Sequence, residues 1–162
     1  MEGHLPENEE RRLGELESYA VLDVLSGAVF DRLTGLVSRL FGTEFAAISL
    51  IDRDTEHIKA SHGLSVREIP RSRSLCAQTV AADQVTVVPD ALADERFRDC
   101  LFVTESPGIR FYAGVPLRTP TGASLGTLCI MDTSPRELDQ HQISALCDLA
   151  GMVMAEVELQ AS

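Results

Sequence analysis

Four cysteines, four histidines and a band of arginines are the residues of this chain that could carry chemistry. The cysteines stand at 76, 100, 129 and 147 with no CxxC spacing, and each has apolar residues close by. That favours buried free thiols over a metal knuckle or a disulfide framework. Cys76 has the best case for reactivity. It follows Arg71, Arg73 and Ser74 and falls in the first turn of a predicted helix, where positive charge and the helix dipole favour the nucleophilic thiolate. The competing reading is a small buried hydrophobe facing a sheet. Cys129 falls in a predicted strand and Cys147 on the apolar side of a helix, so both read as core.

Arg71, Arg73, Arg96, Arg98 and Arg110 offer a cationic clamp for a phosphate-bearing ligand. Against that, Asp90, Asp94, Glu95 and Asp99 lie close enough in sequence to take the same arginines as surface ion pairs. The histidines, at 4, 57, 62 and 141, are scattered. His57 and His62 fall on opposite faces of one strand if it is regular, so they do not make a metal pair. No G-x-S-x-G turn is present to support Ser/His/Asp catalysis.

The elements that must position these residues are legible in outline. A first helix begins after Pro6 in the charged stretch Glu7 to Glu17, with Leu13, Leu16 and Ala20 on one side; residues 1–9 are expected to be flexible and 10–24 to be the ordered helix. A second helix has Ser26 as its cap and Gly42 as its end, and Val29, Phe30, Leu33, Leu36, Val37 and Leu40 form a broad apolar face. Phe45 to Asp52 is apolar at nearly every place, as a central strand covered on both faces should be, and Thr55 to Ser61 returns as its hairpin mate. Leu75 to Ala82 reads as a short helix, Val85 to Val88 as a strand, and Ala91 to Glu105 as loop and short helix crossing one sheet face. Two runs, Ile109 to Leu117 and Leu125 to Asp132, flank the turn signal Thr119-Pro120-Thr121-Gly122 and predict a hairpin inside a sheet. Asp139 caps a long last helix over 139–160, with Gln142 placed for the reciprocal hydrogen bond.

At 162 residues the chain is long enough for one core and short for two. Its net charge of -11, with no basic stripe, should repel phosphate backbones and anionic lipid head groups, so neither nucleic acid nor membrane is an expected partner. No run approaches the roughly 18 apolar residues needed to span a bilayer, and the start Met1-Glu2-Gly3-His4 lacks a signal-peptide pattern. A cytoplasmic protein is the expectation.

Several blocks in order resemble a GAF domain of the type found at the amino-terminal end of bacterial sensor histidine kinases and diguanylate cyclases. They are Leu16 to Asp23, Phe30 to Leu33, Ile48 to Asp52, Pro70 to Ala77, Val88 to Ala91, Asp94 to Phe97, the hairpin, and Pro135 to Leu138. The resemblance runs from Glu10 to about Glu158. It implies an α+β fold, an α/β sandwich: a central antiparallel sheet of five or six strands with the terminal and second helices on one face, and short helices and loops covering a pocket on the other. It implies one such domain over 1–162. It places a ligand pocket at Ser74 to Thr79 and Asp90 to Phe102, with Phe97, Phe102, Phe111 and Tyr112 as walls and Ser74, Cys76, Asp90 and Thr127 as polar groups.

By the same resemblance the function is non-enzymatic sensing and dimerisation in bacterial signal transduction. The small molecule is unidentified, no cofactor is assigned, and a homodimer is expected through the terminal helices. The kinase, cyclase and DNA-binding outputs of the resembled proteins are not found before Ser162, which fits a stand-alone sensor or a piece of a larger protein. Two other readings stay open. A thiol-based redox sensor or a reductase like free methionine sulfoxide reductase would need Cys76 and a second thiol such as Cys100 to meet across the pocket. A purely structural module would have its pocket filled by side chains and a dimer face built from Leu13, Leu16, Ile143, Leu146 and Val153. Bilin attachment at Cys100 is opposed by Leu101, where such domains usually carry histidine. The N-K-F-D-E pattern of cyclic-nucleotide-binding relatives is absent. Haem ligation by one of the histidines is a remaining possibility.

Overall fold

The computed structural model describes residues 7–19 and 27–161. Among them the chain forms a six-stranded antiparallel sheet: β1 (Phe45–Ile51), β2 (Thr55–His62), β3 (Glu68–Pro70), β4 (Thr86–Val88), β5 (Phe111–Arg118) and β6 (Ser124–Asp132), in the spatial order β3-β2-β1-β6-β5-β4. Its helices are α1 (Glu7–Ser18), α2 (Ala28–Phe41), α3 (Leu75–Ala82), α4 (Leu101–Thr104) and α5 (Gln140–Ala161). The α+β sandwich is as expected. β1 and β6 are central and buried at every position, which explains their largely apolar sequence; the exceptions include Ser49 and Thr127, which are buried polar residues. They approach closely at Gly126, where a Cβ would stand 1.8 Å from the Ser49 carbonyl oxygen.

One sheet face packs against α1, α2 and α5 through Leu16, Phe30, Val37, Phe41, Leu146, Ala150 and Val153. The other packs against α3, α4 and the loops between them, through Leu75, Cys76, Val80, Phe97 and Phe102. The Asp139 carboxylate accepts from Gln142 N–H at 2.8 Å while the Gln142 side chain accepts from Asp139 N–H at 2.9 Å, so the predicted reciprocal cap of α5 is formed. Gly42 ends α2 in the left-handed conformation, as expected.

Several expectations are corrected. The N-terminal helix already includes Glu7, Asn8 and Glu9, which were expected to be flexible, and it ends at Ser18; Ala20 to Ser26, including the proposed cap Ser26, lie outside the described residues. α2 is instead preceded by Gly27, with no side-chain cap. The broad apolar face of α2 divides in two. Phe30, Thr34, Val37 and Phe41 face the sheet, whereas Val29, Leu36 and Leu40 are exposed. The polar members go inward because the backbone satisfies them: Thr34 donates to the Asp31 carbonyl and Ser38 to the Thr43 carbonyl. Of the proposed dimer face, Leu16, Leu146 and Val153 are consumed in the chain's own core.

β2 is also not regular. Ala60 opposes Ile48 and Ile58 opposes Ser49, leaving Lys59 as a bulge. Ile58 therefore packs toward α3 while Ala60 packs toward α2, although they are two residues apart. The shift puts His57 and His62 on the same face rather than opposite ones, at the two ends of the strand; His57 lies between Asp52 at 3.7 Å and Glu68 at 3.8 Å.

Candidate functional site

A seam of polar side chains runs through the core between α3 and the sheet. It begins at Ser74, which caps α3 because its position just before the helix leaves a free backbone N–H within reach. Ser74 Oγ accepts from Ala77 N–H at 2.9 Å and donates to Glu56 Oε1 at 2.6 Å. Glu56 comes from β2 and is 3% exposed, an uncommon place for a carboxylate. One helical turn further along α3, Thr79 shares a 2.8 Å hydrogen bond with the Tyr112 hydroxyl. Tyr112 can lie flat over β5 because the next residue on its side of the strand is Gly114, where a Cβ would come within 2.0 Å of the phenol oxygen.

Between these two contacts lie Cys76 and Cys129, with their Sγ atoms 3.9 Å apart. The hydrogen bond to Cys129, together with burial, holds the Cys76 thiol well above the usual range. The reduced pKa expected from the helix start is therefore not realised, since desolvation and a neighbouring thiol outweigh the dipole. Beside them are Ser49 and Thr127, opposite one another in the β1–β6 register, and neither hydroxyl has a hydrogen-bond partner. A buried hydroxyl without a partner costs about 1–3 kcal/mol.

Of the proposed site residues, Ser74, Cys76, Phe97, Phe102, Tyr112 and Thr127 are on this side of the sheet and buried. Phe111 is not. The alternation of β5 turns it to the opposite face, into the core under α5, with the Arg136 guanidinium 5.9 Å from its ring centre. Asp90 does not line the seam either; it caps the 3-10 turn Ala91–Ala93 by accepting from Leu92 N–H at 3.2 Å. The arginines do not converge into a clamp. Arg96 pairs with Asp94 at 2.8 Å, Arg71 with Glu9 at 2.8 Å, Arg73 donates to Thr104, and Arg110 donates to the carbonyls of Val103 and Ile109. Cys100 is buried, and burial pushes its thiol up to about 11 although the Arg73 charge pulls the other way.

The space left along the seam is small. A cavity of about 10 Å³ is bounded by Ala47, Glu56, Ile69, Cys76, Phe102 and Met131, room for about one water. A larger open cleft of about 740 Å³ lies elsewhere, between α1, the end of α3 and the β5–β6 turn. Its charges are largely spent on one another: Glu9 with Arg12 and Arg71, Asp83 with Arg118, Glu15 with Thr121. Sequence reasoning missed Glu56 and Ser49 as members of the seam and missed the cleft. The signal for Glu56 was that it stands two residues from Ile58 and so shares its strand face, although a carboxylate there normally marks solvent.

The GAF-domain family model matches residues 27–157. The chain belongs to the GAF family. A cyclic di-GMP phosphodiesterase of Pseudomonas aeruginosa is 37% identical over 153 residues; the match takes in 94% of this chain and 26% of that protein, so the chain spans about a quarter of its relative's length. Solved structures of the same fold include a free methionine-R-sulfoxide reductase from Neisseria meningitidis in complex with its substrate, with a TM-score of 0.71 and 22% identity over 99% of this chain and 96% of that one. They also include the GAF domain of an Acinetobacter phosphoenolpyruvate-protein phosphotransferase, with a TM-score of 0.66 and 16% identity over 95% of both chains. Among the described residues no helix is long and apolar enough to cross a membrane.

Proposed function

We propose that the chain is a non-enzymatic sensory and dimerisation module of bacterial signal transduction, working in the cytoplasm, and that it takes a small molecule between α3 and the sheet. The observation that carries this reading is the pair of orphaned hydroxyls, Ser49 and Thr127, beside the buried Glu56–Ser74 contact. A core built for packing alone gains nothing from unpaired polar groups, whereas a site that exchanges them for ligand contacts does. With about 10 Å³ open, the described form is closed, and an occupant must displace the Tyr112–Thr79 cover or lift α3. Movement of α3 and its loops then biases the packing of the helices that meet a second copy. The 37% identical phosphodiesterase, of which this chain spans about a quarter, supports a place in signalling.

Native mass spectrometry of the protein as purified from cells, with an absorption spectrum of the same sample, tests the reading. A bound small-molecule mass lost from a Thr127→Val variant is the expected result. A clean apoprotein mass, combined with no thermal shift across a panel of metabolites, would leave a structural module with a filled pocket. Turnover of free methionine sulfoxide would instead establish the reductase reading, which the buried and protonated state of Cys76 and Cys100 argues against.

A further inference from the structure

Cys76 and Cys129 come from elements far apart in sequence, the first turn of α3 and the middle of β6, yet their thiols meet in the core, at 3.9 Å between sulfurs. We propose that this pair is a peroxide-responsive dithiol that closes to a disulfide and pins the start of α3 to the sheet. A disulfide needs sulfurs about 2.05 Å apart, so the pair must close by roughly 2 Å, which side-chain rotation and a small advance of α3 supply. Cys147 is excluded as a partner because it packs with the helices on the opposite face of the sheet.

The second observation is the state of the surroundings. Both sulfurs are buried, at 2% and 0% exposure, and Thr127 beside Cys76 and Ser49 opposite Thr127 have unpaired hydroxyls. In the closed form both thiols are therefore shielded from oxidant. When α3 lifts, Cys76 reaches water at the amino end of an eight-residue helix, where the thiolate is favoured, while Cys129 stays on its strand. Cys76 is thus the thiol that attacks the oxidant and Cys129 the resolving one.

The chemistry balances with a hydroperoxide as oxidant. The Cys76 thiolate attacks the distal peroxide oxygen, the O–O bond breaks, and the alcohol leaves with a proton, giving a sulfenic acid. The Cys129 thiol attacks that sulfur, the S–O bond breaks and water leaves. Two thiols and one hydroperoxide thus become one disulfide, one alcohol and one water. A dithiol reductant returns both thiols by exchange. Formation of the disulfide is independent of the ligand reading above; only its consequence, exclusion of a ligand from beneath α3, rests on that reading.

The test exposes the native protein to tert-butyl hydroperoxide, blocks remaining thiols with N-ethylmaleimide, and maps peptides by mass spectrometry. The expected product has lost the mass of two hydrogens and two free thiols, carries a Cys76–Cys129 cross-linked peptide, and reverts with dithiothreitol. In a Cys129→Ala variant the cross-link is absent and dimedone labels Cys76. A cross-link joining Cys76 to Cys100, or oxidation at Cys100 or Cys147 with Cys76 and Cys129 still free, overturns the proposal. The wild-type map decides this even if the variant does not fold.

Discussion

Tyr112 stands over the seam because of one hydrogen bond and one absent side chain. Its hydroxyl meets Thr79, and Gly114 leaves the space its ring occupies. Tyr112→Phe leaves Thr79 Oγ1 buried without that partner, and about 1–2 kcal/mol of stability should be lost, read as a lower urea midpoint with unchanged slope. Gly114→Ala should cost about as much or more, roughly 1–3 kcal/mol, because the new methyl displaces a fully buried ring. If Gly114→Ala proves neutral while Tyr112→Phe does not, the ring has room to move and the cover is looser than its contacts imply. At this scale the sequence was an incomplete guide. It identified Ser74, Cys76, Phe97, Phe102, Tyr112 and Thr127 as neighbours, yet it could not choose between Phe111 and Tyr112, since alternation says only that they point apart. It also gave no hint that Cys129 would lie against Cys76, because that contact depends on how α3 crosses β6.

α1 is held to the body of the domain by charge at a partly buried place. Glu9 accepts two hydrogen bonds from Arg12 and one from Arg71, and Arg12 also donates to the Ser124 carbonyl. Burial alone would raise the Glu9 pKa, but its hydrogen bonds with Arg12 and Arg71 and their charges outweigh it and lower the value to about 2. A carboxylate whose pKa is lowered on folding adds stability above its unfolded value, and that contribution is lost as pH falls through the folded one. For Glu9 the window runs from about 4.5 down to about 2. Hydrogen exchange in α1, corrected for its intrinsic pH dependence, should be slower in wild type than in Glu9→Gln at neutral pH, and the difference should vanish across that window. A difference that persists at the acid end means the variant lost packing rather than charge. Elements with a strong local signal were legible: the β5–β6 hairpin through its turn, α5 through its cap, and α3 to the residue. β3 was not, because three residues ending in proline carry no period, and the Lys59 bulge was not, because a bulge is set by the partner strand.

Taken whole, the molecule has an outward apolar stripe on the helical layer of which its own core uses only Leu33, partly buried. On α2 the residues Val29, Leu33, Leu36 and Leu40 recur at steps of four, three and four, one position ahead of the buried set Phe30, Thr34, Val37 and Phe41; three of the outer four are exposed, at 52%, 42% and 63%. α5 adds Met152 at 63%. Such spacing is the seam of a helix bundle, and apolar counting along the sequence merged it with the core-facing set. The flanks differ in sign. α2 carries Arg32 and Arg39 with one acid, Asp31, whereas α5 carries Asp148, Glu156 and Glu158 and no lysine or arginine. A second copy related by a twofold axis would set α2 of one protomer against α5 of the other, joining the apolar stripes with opposite charges alongside, and the contact repeats by symmetry. A stable interface of this kind buries about 1,200–2,000 Å² in total. Light scattering should then give a dimer mass for the wild type and a monomer mass for the double variant Leu36→Glu, Leu40→Glu, with the circular dichroism unchanged because neither side chain belongs to the core. Arg32→Glu alone should weaken the dimer, and adding Asp148→Arg should restore part of it. A wild-type monomer, or a dimer indifferent to the stripe, would move the contact to another surface and remove the route by which α3 is proposed to signal.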